Sequence, residues 1–197
     1  MIIAGDLGFI HIPKCAGTSI RQALFLATQC HYVGKVIDPE ADIKDPVNQF
    51  NAHFNPAEIA PLISHLKLFT CVRNPWDRLA SWYSSKKQLR TFEEFVKLVY
   101  GISDEGSLRN PNIPANNPSQ GSYFEGLFFH EVLRFEDVSY EWKSKIQPLL
   151  PRSVSLEQLN TSNHKPYTDF SWTPELIDLV RDKENYVIEN FDYEFGE

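Results

Sequence analysis

The stretch FIHIPKCAGTSIRQAL, residues 9–24, sets Lys14 ahead of a small-residue turn, Ala16 and Gly17, and two hydroxyls, Thr18 and Ser19. An apolar run precedes them and a helix-like pattern follows. A helix N-terminus presents backbone N–H groups and a partial positive charge. Small residues let an anion come close to those groups, and a lysine adds a mobile full charge. The chemistry this spacing suits is the holding of an oxyanion, phosphate or sulfate. A second stretch, CVRNPWDRLASWY, residues 71–83, puts Arg73 at the end of another apolar run and Ser81 eight residues on. An arginine fork and a hydroxyl make a phosphate clamp. The competing role for Arg73 is an ion pair with Asp77, four residues later.

The first stretch departs from the nucleotide-hydrolase loop G-x-x-x-x-G-K-[ST], where lysine directly follows the second glycine. Here Lys14 precedes Gly17. The strand that leads into the second motif ends in Arg73, not in an aspartate that would help hold Mg²⁺. Both departures count against a kinase or other nucleotide phosphotransferase, one rival reading. A non-catalytic nucleotide-binding protein is the other.

HIPKCAGTSI resembles the 5′-phosphosulfate loop of sulfotransferases, and VRNPWDRLASWY resembles their 3′-phosphate motif. The similarity is to the carbohydrate-type family that includes heparan and dermatan/chondroitin O-sulfotransferases. Weaker similarity runs through PSQGSYF, VLRFEDV and LNTSNHKPY. The resemblance implies a P-loop-like sulfotransferase fold and the donor 3′-phosphoadenosine 5′-phosphosulfate (PAPS), with product PAP and no metal. By position, Lys14, Cys15, Ala16, Gly17, Thr18 and Ser19 would hold the 5′-phosphosulfate. Arg73 and Ser81 would hold the 3′-phosphate, with Asn160, Ser162 and Lys165 as a further donor-binding segment. The family often has threonine or glycine where Cys15 stands, a departure that could make the loop sensitive to oxidation.

Sulfuryl transfer needs a base for the acceptor hydroxyl and a positive site for the leaving bisphosphate. The resemblance points to His53, in NAHFNPAEI between the two motifs, as that base, and to Lys14 at the bridging oxygen. Alanine replaces the usual glycine before the histidine. His11, amid apolar neighbours, reads as a core histidine with its polar atoms satisfied. Gln120, Ser122 and Tyr123 are the candidates for an acceptor cleft, since tyrosine and amide side chains suit sugar hydroxyls. The implied acceptor is a carbohydrate or a small hydroxylated molecule.

The elements that must position these groups read as follows. GFIHI, 8–12, is a short buried strand. A helix spans 18–29, with Thr18 or Ser19 as its cap. NPAEIAPLI opens another helix at Asn55 and Pro56. KLFTCVR, 67–73, is the clearest strand, and Asn74 with Pro75 opens a helix through WDRLASWYSSKK. Thr91 and Glu94 suggest a capping box before a stripe of Phe92, Phe95, Val96 and Val99. Residues 101–121 form a long loop near the acceptor cleft. EVLRFED, 131–137, is a strand, SYEWKSKIQPLL a helix, and a last helix runs from Thr173 and Pro174 to about Asn190. This alternation predicts an α/β fold: a single domain over 1–197, with a mostly parallel central sheet flanked by helices.

Composition agrees. The chain has 197 residues, 42% of them hydrophobic, enough for one such domain. With 19 basic and 26 acidic residues the net charge is −7, which argues against general nucleic-acid binding and disfavours a highly sulfated polymer as acceptor. Three cysteines with no CxxC pair argue against zinc and for a reducing, cytoplasmic compartment. No signal peptide and no membrane-spanning run is expected.

Overall fold

The computed structural model describes residues 1–32, 35–36, 50–51, 63–85, 90–102, 119–157 and 165–196. His53, Asn160, Ser162, the predicted helix at Asn55 and most of the 101–121 loop lie outside the described residues. The chain forms two compact units, one of residues 1–71 with 124–160, the other of 72–123 with 161–197. Each draws on two separate stretches of the sequence.

The first unit carries the sheet. Strands β1 (Ile2–Ala4) and β2 (Leu7–Ile10) form an antiparallel hairpin in which Ile2 faces Phe9 and Ala4 faces Leu7. The turn between them is Gly5 and Asp6, and Gly5 takes φ +62°, where a glycine meets no Cβ clash. Helix α1 follows (Gly17–Ala27), then β3 (Cys30–Tyr32), which pairs antiparallel with β1. A separate two-strand ladder joins β4 (Lys35–Val36) to β5 (Phe50–Asn51). Strand β6 (Lys67–Val72) lies parallel to β2, with Ile10 opposite Thr70. Strand β7 (Glu131–Arg134) completes a five-stranded sheet in the order β3-β1-β2-β6-β7. The α/β class and the helix-flanked sheet are those the alternation predicts. The parallel pair β2/β6 sits inside the sheet, and the antiparallel pairs come from β1, a strand too short to show in the sequence pattern.

Continuous apolar runs explain the centre: β2 is buried throughout and β6 is buried after Lys67. Phe9 and Phe69, on paired positions of β2 and β6, are buried with ring centroids 5.1 Å apart. Gly8 leaves room for Leu68, whose Cδ2 would lie 2.7 Å from a Cβ at that position. The Thr70 hydroxyl donates to the Ile10 carbonyl at 2.8 Å, a cross-strand tie in a fully buried place.

After β7 the backbone changes its winding repeatedly. The predicted strand 131–137 ends at Arg134, its last three residues forming a 3₁₀ turn (Phe135–Asp137), and the helix predicted over SYEWKSKIQPLL is a short α4 (Val138–Glu141), a π-helical turn (Trp142–Ile146) and a second 3₁₀ turn ending in Pro148 and Leu149. Trp142 anchors it: its ring is buried and Nε1 donates to the Val154 carbonyl at 2.8 Å.

The second unit is helical. Helix α2 (Pro75–Ser84) starts where Asn74 and Pro75 predict. Asn74 Oδ1 accepts from the N–H groups of Trp76 at 3.1 Å and Asp77 at 3.4 Å. Helix α3 (Phe92–Val99) opens on the predicted capping box, with Thr91 Oγ1 accepting from Glu94 N–H at 3.3 Å and Glu94 Oε2 accepting from Thr91 N–H at 2.8 Å. Its stripe of Phe92, Phe95, Val96 and Val99 is buried. The predicted last helix is two: α5 (Pro174–Lys183) and α6 (Asn185–Phe191), broken at Glu184 with φ −112° and ψ 16°. The tail then folds back, so that Phe195 packs edge-on against Trp76, Tyr167 and Trp172.

Candidate functional site

The oxyanion loop joins β2 to α1. Lys14 and Ala16 both adopt left-handed backbone, at φ 69° and 54°. That conformation costs a non-glycine residue on the order of 1 kcal/mol or more. Ala16 is the N-cap of α1 and offers no side-chain cap, so Thr18 and Ser19 do not cap the helix as predicted but sit inside its first turn. The helical ladder starts where Ile20 N–H donates to the Ala16 carbonyl at 3.1 Å. The N–H groups of Gly17, Thr18 and Ser19 precede it and are not used by that ladder. No acidic residue stands in the first turn of α1, so its positive end is not neutralised from within.

Gly17 is required by a neighbour. A Cβ on residue 17 would fall within 2.6 Å of His11 Cε1 and closer still to Nε2 and Cδ2. His11 is half-buried, stacks on Phe9 with centroids 6.0 Å apart, and lies against the start of α1. It is therefore a wall of the loop and not the ordinary core histidine the apolar neighbours predict. Cys15 points inward. Its side chain is fully buried, Sγ donates to the Pro13 carbonyl at 3.6 Å, and its N–H donates to Ile12 at 3.3 Å. Of the loop residues predicted to present an N–H to the anion, Cys15 thus has that donor turned into the loop itself. Burial of the thiol also removes the easy route to oxidation. Cys15 and Cys71 are both free thiols.

The second motif lies in the helical unit. Arg73 is nearly buried and pairs with Asp77, with Nη2 at 2.6 Å and Nε at 2.7 Å from the same Oδ2. The structural role weighed for Arg73 is thus present, and it uses part of a five-donor guanidinium. Ser81 is 2% exposed on α2. Lys165, the described member of the third donor segment, is exposed and folds onto its own neighbours. Its Nζ donates to the Asp169 carbonyl and stands 4.7 Å from the centre of the Phe170 ring.

The acceptor candidates are placed otherwise than predicted. Gln120 is fully buried: Oε1 accepts from Arg73 N–H at 2.9 Å and Nε2 donates to the Arg73 carbonyl at 2.8 Å. Tyr123 is 1% exposed. The Ser122 hydroxyl closes a turn by donating to the Ser119 carbonyl at 2.7 Å. Gln120 and Tyr123 are therefore buried, and Ser122 is half-buried in the 3₁₀ turn Gly121–Phe124.

Beneath Arg73 is a group that no sequence pattern exposes. Glu184, fully buried, accepts from Arg78 Nη2 at 2.5 Å, from Tyr100 O–H at 3.2 Å and from Gln120 N–H at 2.8 Å. Burial raises its carboxyl pKa, against the opposing pull of Arg78 and those donors. In sequence it stands in RDKENY, a polar run that reads as solvent-facing.

Residues 5–145, more than half of the chain, match the sequence model described as the sulfotransferase family. The chain belongs to the sulfotransferase family. No curated protein and no solved structure matches it. Sulfuryl transfer is the chemistry of that family. Among the described residues no cluster of three or more His, Cys, Asp or Glu could hold a metal ion, and no helix is long and apolar enough to cross a membrane.

Proposed function

We propose that this sulfotransferase moves a sulfuryl group from PAPS to an acceptor hydroxyl, on a carbohydrate, with Lys14 and His53 as its catalytic residues. The observation that carries the donor reading is the loop before α1. It joins two left-handed residues, a glycine with no room for a side chain, a lysine and a helix end without an acid. That set fits a sulfated or phosphorylated group and would reject a cation.

In the proposed reaction the acceptor oxygen forms a bond to sulfur as the bond from sulfur to the bridging oxygen of the leaving bisphosphate breaks. The acceptor proton goes to His53. Negative charge grows on the bridging oxygen, where Lys14 and the first-turn N–H groups of α1 oppose it. Arg73 and Ser81 hold the 3′-phosphate, and this is what separates PAPS from other adenine nucleotides. A net charge of −7 favours a neutral or lightly charged acceptor over a heavily sulfated polymer.

The test is thermal unfolding with PAP, with AMP, and with ATP plus Mg²⁺. A ligand at 100 times its dissociation constant adds about 2.7 kcal/mol to stability. The expected result is a clear upward shift with PAP, lost in Arg73→Ala. A shift with ATP–Mg²⁺ and none with PAP would replace this reading with nucleotide phosphotransfer. For the base, His53→Ala should keep PAP binding and lose turnover; near-normal turnover would remove His53 from the mechanism.

A further inference from the structure

We infer that Gln120 and Glu184 are positioning residues for 3′-phosphate recognition, acting through the backbone of Arg73. This rests on the reading of Arg73 as the 3′-phosphate arginine.

The Gln120 amide grips the Arg73 residue at both its polar backbone atoms, at 2.9 and 2.8 Å, as a neighbouring strand would. A residue held at N–H and carbonyl together has little freedom in φ and ψ, so the direction of its Cα–Cβ bond is set. The amide is itself set from below. Glu184 accepts the Gln120 N–H at 2.8 Å. The same carboxylate takes Arg78, one turn along the helix that begins just after Arg73. Glu184 thus fixes the Arg73 segment from two directions, through Gln120 and through α2. Asn74 adds a third tie, donating Nδ2 to the Glu194 carbonyl at 3.0 Å.

Stability alone is served poorly by this arrangement. A buried charged pair gains little over an apolar one of the same volume. What two hydrogen bonds on the Arg73 backbone and the ties of Asn74 and Arg78 beside it do supply is aim, and a misplacement of about 1 Å in a substrate-positioning group can cost two orders of magnitude in rate. An arginine fork reading a phosphate is such a group.

The experiment measures the affinities of PAP and AMP side by side, since AMP lacks the 3′-phosphate. Gln120→Leu should lower PAP affinity about tenfold, the worth of two hydrogen bonds, while AMP affinity stays within about twofold. In Arg73→Ala, adding Gln120→Leu should bring no further loss of PAP affinity, because the two act as a unit. Where Gln120→Leu does not fold, Gln120→Glu keeps an acceptor for the Arg73 N–H and loses the donor, and the PAP/AMP ratio should fall partway. A lower melting temperature with an unchanged PAP/AMP ratio would show a purely structural role and overturn the proposal. Additive losses in the double variant would do the same. If Arg73→Ala itself leaves the ratio unchanged, the Arg73 reading fails first, and the positioning role falls with it.

Discussion

The His11 imidazole fills the space a side chain on Gly17 would need, so the residue before the loop dictates the residue that opens the helix after it. Gly17→Ala must push the ring away or shift the start of α1. The expected result is a fold that survives with weakened PAP binding. Gly17→Ala combined with His11→Ala should recover part of that binding, because the obstructing ring is gone. Titration calorimetry with PAP on the three variants checks this; an equally weak double variant would mean the glycine serves something other than this contact.

Arg78 and Glu184 form a buried pair at 2.5 Å, 1% and 0% exposed. Removing one partner leaves a buried charge alone, at a cost of about 3–5 kcal/mol. Arg78→Met should therefore lower stability by that order in denaturant unfolding. Arg78→Met with Glu184→Gln should be less damaging than Arg78→Met alone, since glutamine still accepts from Gln120 without a charge to bury.

Asn74 serves α2 through Oδ1 and the tail through Nδ2. Loss of an Asn cap costs about 0.5–2 kcal/mol, and the tie to Glu194 adds to it. Asn74→Ala should thus sit at or above the top of that range, and Asn74→Asp, which keeps only the acceptor role, between it and the parent. Equal stability of the Ala and Asp variants would show that the cap contributes nothing.

Burial pushes the Cys30 thiol up from 9.0 to about 11. A thiol whose folded pKa is raised resists ionisation in the fold, so stability is full below pH 9 and is lost as pH rises from about 9 to about 11. Cys30→Ala should flatten that part of the stability–pH curve relative to the parent. At pH 8 the thiol should also react slowly with iodoacetamide; rapid alkylation of the folded protein at Cys30 would contradict the raised pKa.

Local signals were read correctly from sequence where the partners are close in the chain. The Thr91/Glu94 box, the Asn74-Pro75 start and the stripe of α3 each depend on residues within one or two turns. The loop before α1 was legible as a strand-to-helix junction because its small residues and helix pattern are contiguous. Failures come where the deciding partner is remote. Glu184 breaks one predicted helix into two, and its partners are Arg78, Tyr100 and Gln120, all from distant stretches. The same distance hides the bond from Gln120 to Arg73, so an amide that reads as a sugar ligand proves to be a backbone clamp. β1 escaped because three residues are too few to show a period, and only its hairpin with β2 makes it a strand.

Lys14 and Ala16, at φ 69° and 54°, leave an opening for protein engineering and a trap within it. Glycine fits such backbone without strain, so a screen for heat resistance should select Ala16→Gly, worth up to about 1 kcal/mol. The same screen should favour Lys14→Gly for the same reason and would deliver a sturdier protein stripped of its mobile charge. Variants ranked by melting temperature alone will therefore drift toward inactive ones at residue 14, and not at residue 16.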